Sequence, residues 1–162
     1  MEENNNQNNK EQDYQRSQLH KIVAKLKPII ASKPEILFAY LFGSAATGKI
    51  NKLSDIDLAI FIDPSYRHQS AGYGYQSEMI IELSAILSAQ VDLVILNHAS
   101  SFLRYQVLKK GILLFSRSNE MRRSFHEKTM RNYLDLKPLF KVQRDYMHKR
   151  LAAGKFGGSK NG

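Results

Sequence analysis

Ile36-Leu37-Phe38-Ala39-Tyr40-Leu41-Phe42-Gly43-Ser44 is followed, after ten further residues, by Asp55-Ile56-Asp57-Leu58-Ala59-Ile60-Phe61. The two apolar runs are short, aromatic and branched, and are bounded by turn residues, so both read as buried strands. Carboxylates at i and i+2 of a strand project from one face, a few Å apart. Two anions so placed repel unless a cation lies between them, and a donor set made only of oxygen favours a hard ion such as Mg²⁺. A Gly-Ser turn leaving the first strand can present backbone N–H groups and a hydroxyl to phosphate oxygens. The small side chains of Ala45-Ala46-Thr47-Gly48 would let a ligand come close to the backbone. Alone, Gly43-Ser44 is an ordinary turn, and Ser54-Asp55 could cap a helix. The apolar run after Asp57 favours a strand instead, and the combination points to chemistry on a nucleotide.

Outward from this segment, Val91-Asp92-Leu93-Val94-Ile95-Leu96 reads as a third strand whose single acidic residue is Asp92. At a strand end it could simply face solvent. Beside Asp55 and Asp57 it would be a third metal ligand, and could also take the proton from an attacking hydroxyl. Leu19, Ile22, Val23, Leu26 and Ile30 give an amphipathic helix from about Ser17, which Pro28 should kink or end and Lys33-Pro34 should stop. Residues 43–53 read as a loop, and Ser65–Gly74 as a mobile surface loop. Residues 76–87 carry apolar positions at helical spacing. Ser100 caps a short helix that Gly111 stops, and Ile112–Phe115 is a short fourth strand. From Ser118 to Leu151 the chain is helical and basic, with a break expected near Leu136-Lys137-Pro138. The order of elements predicts an α+β, or mixed α/β, domain with a C-terminal helical extension. The expected divisions are a disordered tail over 1–16, a core over 17–117, C-terminal helices over 118–153 and a flexible tail over 154–162.

The 162 residues suit one domain with a sizeable core. With no cysteine, disulfides, thiol catalysis and Cys-based zinc sites are excluded. The Asn-rich start has no apolar stretch of a secretory signal and no run approaches a membrane span, so a cytoplasmic address is expected. The formal charge of +9 is uneven: residues 1–100 sum to −2 and residues 101–162 to +11. A basic C-terminal third suits nucleic acid, an acidic partner or ATP phosphates, and equally a solvated helix surface. His20, His68, His98, His126 and His148 form no pair at ligand spacing on one helix.

Leu41-Phe42-Gly43-Ser44, ten residues, then Asp55-Ile56-Asp57-Leu58-Ala59 resembles the nucleotidyltransferase superfamily related to DNA polymerase β. Its signature is GS, ten residues, DxD and a third Asp on a later strand, the place of Asp92. The short length and the stretch Tyr133-Leu134-Asp135 to Gly157 look like the minimal nucleotidyltransferase (MNT) antitoxins of MNT–HEPN toxin–antitoxin modules. The resemblance covers roughly residues 19–157 and implies a small mixed β-sheet flanked by helices. It implies that Gly43 and Ser44 hold the triphosphate of ATP, and that Asp55, Asp57 and Asp92 carry catalysis and bind two Mg²⁺ ions. The implied reaction is AMP transfer to a tyrosine of a cognate HEPN ribonuclease, which silences it. Many relatives carry an Arg before the second Gly of the loop, where this chain has Thr47; Lys49 or Lys52 are the substitutes at hand.

Two alternatives stand beside that expectation. One is a non-catalytic antitoxin acting by binding and occlusion, with the basic C-terminal region touching RNA. The other is a small-molecule nucleotidyltransferase of the aminoglycoside-modifying kind, disfavoured because only about 45 residues follow the last expected strand. The Arg and His pairs at 16/20, 122/126 and 144/148 are each one residue short of the HEPN ribonuclease motif, so the chain is not expected to be the toxin.

Overall fold

The computed structural model describes residues 2–47, 55–66 and 73–152. In chain order the elements are α1 (Glu2–Ser32), β1 (Ile36–Phe42), α2 (Gly43–Ala46), β2 (Ile56–Ile62), α3 (Tyr73–Leu87), β3 (Val91–Ile95), α4 (Ser101–Lys110), β4 (Ile112–Ser116) and α5 (Asn119–Ala152). The four strands form one mixed sheet in the order β3-β2-β1-β4. β1 is antiparallel to both neighbours, while β2 and β3 run parallel and are joined by the crossover helix α3.

The sheet is covered on both faces, which explains why β1 and β2 read as nearly continuous apolar runs. One face carries Ile36, Ala39, Leu41, Ile56, Leu58, Ile60 and Leu93, packed beneath Leu26 and Ile30 of α1 and Met79 and Leu83 of α3. The other carries Leu37, Phe38, Tyr40, Ala59, Phe61 and Leu96, packed with Val107 of α4 and Phe125 of α5. There the Phe38 and Phe61 rings stack at 4.7 Å with Phe125 tilted against both.

Ser100 caps α4 as expected, its Oγ accepting from the Leu103 N–H at 3.2 Å. Gly111 then follows, where a β-carbon would run into the Val107 carbonyl, 2.5 Å away. That close approach lets β4 turn straight back against β1.

Several expectations need correction. Helix α1 continues back to Glu2, through residues expected to be a disordered tail. No Pro or Gly interrupts 2–16, so nothing breaks the helix there. Even so, Tyr14, Arg16 and Ser17 stay exposed, and the core begins near Leu19. Pro28 does not end α1. It costs one backbone hydrogen bond, and the fully buried Leu26 and Ile30 hold the last turn against the sheet. Pro138 does not break α5 either; it is exposed, where water can meet the carbonyl that proline leaves unbonded. The start of the expected 43–53 loop is a single helical turn, α2. The rest of that loop, most of the 65–74 loop, Lys49, Lys52 and the 154–162 tail lie outside the described residues.

Candidate active site

Phe42, Asp57 and Asp92 lie side by side across three strands. Phe42 pairs with Asp57 in the β1–β2 register, and Asp57 pairs with Asp92 in the parallel β2–β3 register. In a parallel pair, directly opposed residues face the same way, so the two carboxylates share a face of the sheet. It is the face that carries Ala59, Phe61 and Leu96 farther along. Asp55 stands just ahead of β2, two residues from Asp57 and on its side of the strand. The Ile56 N–H between them donates to the Gln90 carbonyl at 2.9 Å and pins the two strand starts together. Asp55 and Asp92 are exposed and Asp57 is half-buried.

Gly43 leaves β1 with φ +67°, in the left-handed region that glycine alone enters freely. A β-carbon there would fall on the Asp57 carboxylate, 2.6 Å from its Cγ. Gly43 is thus required twice, for its backbone angle and for the space it leaves. The turn brings the Ser44 backbone N–H near the Asp57 carboxylate, where it works to lower the carboxyl pKa. Thr47 closes α2 from below: its Oγ1 donates to the carbonyls of Gly43 and Ser44 at 3.2 and 3.1 Å. At the position where an Arg was expected from the resemblance, the chain spends its side chain on bracing the Gly-Ser turn.

The electrostatics are unfavourable by construction. Burial pushes the Asp57 carboxyl above the usual carboxylate range, and the neighbouring charges of Asp92 and then Asp55 push it further; the Ser44 N–H opposes them. Among the described residues, no three acidic or histidine side chains stand close enough together to hold a metal ion as they are. The donor set itself, three carboxylates on adjacent positions of one sheet face, fits a hard divalent cation.

The structure therefore brings Gly43, Ser44, Asp55, Asp57 and Asp92 to one end of the sheet. Three contacts away from the carboxylates carried no sequence signal. Asn97 bonds the backbone of Ile62 twice, accepting from its N–H at 2.9 Å and donating to its carbonyl at 2.7 Å. The Gln76 side-chain amide of α3 donates to the Leu93 carbonyl on β3. The buried Glu35 accepts from the Tyr75 hydroxyl at 2.7 Å, which with burial drives the tyrosine pKa up. A cavity of about 770 Å³ is bounded by Asp92–Ile95 of β3, by the end of β2 and by Tyr75 and Gln76 of α3. No described helix is long and apolar enough to cross a membrane.

Comparison with known proteins identifies the family and the fold. The profile of the polymerase beta nucleotidyltransferase family matches residues 24–120, more than half of the chain. A curated relative, the protein adenylyltransferase MntA of Aphanizomenon flos-aquae, is 26% identical over 120 residues, covering 71% of this chain and 80% of its own. Among solved structures, a toxin–antitoxin complex with AMP-PNP matches with a TM-score of 0.68 and 27% identity, over 78% of this chain and 98% of that one. A complex of a tri-AMPylated Shewanella oneidensis HEPN toxin with its MNT antitoxin matches with a TM-score of 0.60 and 26% identity, over 83% and 98% of the two chains.

Proposed function

Since the chain belongs to the polymerase beta nucleotidyltransferase family, we propose that it is an antitoxin adenylyltransferase that transfers AMP from ATP to a tyrosine hydroxyl of a cognate HEPN ribonuclease. The observation that carries this is the meeting of Asp57 with Asp92 across β2 and β3, with Asp55 and the Gly43-Ser44 turn on the inner side. The similarity to MntA and to antitoxin–toxin complexes supports the acceptor. A cytoplasmic address goes with it.

The strand order supports a division of roles. Gly43 and Ser44 come from β1, Asp55 and Asp57 from β2, and Asp92 from β3 at the edge. The triphosphate lies against the Gly-Ser turn, so the leaving pyrophosphate departs on the β1 side. In-line displacement then brings the attacking hydroxyl from the Asp92 side. The hydroxyl proton passes to the Asp92 carboxylate and its oxygen bonds to the α-phosphorus. The bond from that phosphorus to the bridging oxygen breaks, and pyrophosphate leaves with the electron pair. Asp55, Asp57 and Asp92 would hold Mg²⁺, two ions in this reading; when bound, the metal supplies charge for the attacking and leaving oxygens.

Incubation with Mg²⁺, α-labelled ATP and the genome-adjacent partner tests this. Label on the partner that is lost in Asp55→Ala/Asp57→Ala protein is the expected result. A tight complex that acquires no label would instead select neutralisation by binding alone. That second reading draws on Thr47, which braces the turn rather than offering a cation, and on α5. From Lys141 to Ala152 every side chain of α5 is exposed, including Val142, Tyr146, Met147 and Leu151. If this basic helix also contacts RNA, the affinity should fall steeply with rising salt.

A further inference from the structure

We propose that the outer edge of β3 is the docking groove for an extended peptide segment of the acceptor, which adds to the sheet as a fifth strand and presents its hydroxyl side chain to Asp92. This rests on the transfer reading above and specifies the form in which the acceptor arrives.

β3 ends the sheet, so its backbone groups alternate between β2 and the outside. The Leu96 N–H donates to the Ile60 carbonyl at 2.8 Å, and the Gln90 carbonyl accepts from Ile56. Even-numbered residues therefore turn their backbone groups toward β2, and Val91, Leu93 and Ile95 turn theirs outward. Two of the outward carbonyls are already engaged from within. The Gln76 side chain donates to that of Leu93, and the His98 N–H to that of Ile95 at 3.2 Å. No described group takes the N–H of Leu93 or of Ile95. The edge consequently offers two donors, spaced two residues apart, about 7 Å. A ligand that matches them must carry acceptors at the same repeat, as the carbonyls of an extended peptide do.

The cavity lies where that strand would run. It is lined by Asp92, Leu93 to Ile95, His98 and Ala99, with Pro64 and Tyr66 from the chain after β2 and Gln76 of α3, whose amide an arriving strand must displace from the Leu93 carbonyl. Its 770 Å³ exceeds what one phenol ring fills and suits several residues. Its position also agrees with the direction of attack, since it opens on the side of Asp92 away from Ser44. A residue paired with Asp92 on an added strand projects from the same face as Asp92 and Asp57. A tyrosine there reaches inward over Asp92 toward the metal-binding carboxylates.

The test uses the full chain, the genome-adjacent HEPN partner, and Mg²⁺ with AMP-PNP. Ala99→Trp fills the far end of the groove without touching the carboxylates. It should lower kcat/KM for the partner at least tenfold, mainly through KM, while Mg²⁺·AMP-PNP affinity stays within twofold. In unsubstituted protein, partner binding should slow hydrogen exchange at the Leu93 and Ile95 amides at least tenfold and leave those of Asp92 and Val94 nearly unchanged. Unchanged kcat/KM in Ala99→Trp overturns the groove, as does transfer without protection of those two amides. Protection of them by AMP-PNP alone overturns it too, assigning the cavity to the nucleotide. Protection by a partner that acquires no AMP keeps the groove and removes the transfer reading.

Discussion

The two ends of the β2–β3 pair are built on opposite principles. Where the strands begin, Asp57 faces Asp92, with Asp55 nearby, so like charges meet on half-covered ground and Asp57 is pushed toward its neutral form. Where they end, Asn97 folds back on Ile62 and satisfies both of its backbone groups, and the Leu96 N–H closes the ladder on Ile60. One end is left electrostatically unfavourable and the other is tied by hydrogen bonds. The difference teaches where the site's strain is held: a strand pair tied at one end can carry repelling carboxylates at the other in register. In the proposed mechanism a cation and substrate would find those carboxylates already aligned.

Substitutions can separate the two ends, and the largest effect belongs to the charged one. Asp57→Ala should reduce AMP transfer by at least about 10³-fold, because the proposed mechanism assigns the metal to this carboxylate. Circular dichroism and the urea midpoint should stay close to those of the unsubstituted protein, and label transfer measures the loss. Next comes the turn that backs Asp57. Gly43→Ala introduces a side chain at φ +67° directly against the carboxylate. Displacing it should cost about 10²-fold in transfer and about 1–2 kcal/mol in stability. Urea unfolding and initial rates on the same preparation report both.

At the bonded end the expected pattern reverses. Asn97→Ala removes the acceptor and the donor that Ile62 uses. It should destabilise the protein by about 2 kcal/mol, read as a lower urea midpoint at unchanged slope. Mg²⁺·AMP-PNP affinity should change little. The smallest effect returns to the charged end with the opposite sign. A carboxyl whose folded pKa is raised binds its proton more tightly folded than unfolded, so its ionisation weakens the fold as pH rises above the ordinary value of 3.8. Asp57→Asn should therefore raise Tm at pH 7 by about 1–3 °C while abolishing transfer. Its advantage should disappear as pH falls below 3.8, where both proteins are neutral at this position.

Legibility in the sequence divided along the same line. The charged end was readable because its chemistry depends on residue type at fixed spacing: Gly43-Ser44, Asp55, Asp57 and Asp92 all lie within short reach of recognisable apolar strands. The bonded end was not, because an Asn after a strand looks the same whether it faces water or bonds Ile62 across 35 residues. Gln76 on Leu93 and Tyr75 on Glu35 are likewise meetings between distant segments. The strands and the α4 cap followed from local pattern. Pro28 and Pro138 misled because proline's cost is local, while burial of Leu26 and Ile30 and the exposure of Pro138 are tertiary facts. That β3 is an edge strand, with two N–H groups that no described group takes, depends on sheet order, which strand-by-strand reading does not supply.

The most direct test of the central claim is a comparison of melting temperatures for the unsubstituted protein and Asp57→Asn, each with and without Mg²⁺ and AMP-PNP. If the repelling carboxylates are a site for cation and nucleotide, the unsubstituted protein starts below the variant, rises by several degrees with both ligands present, and overtakes it while the variant hardly moves. Equal rises in the two proteins, or none in either, would contradict the assignment of this carboxylate cluster as the place where the metal and the nucleotide bind.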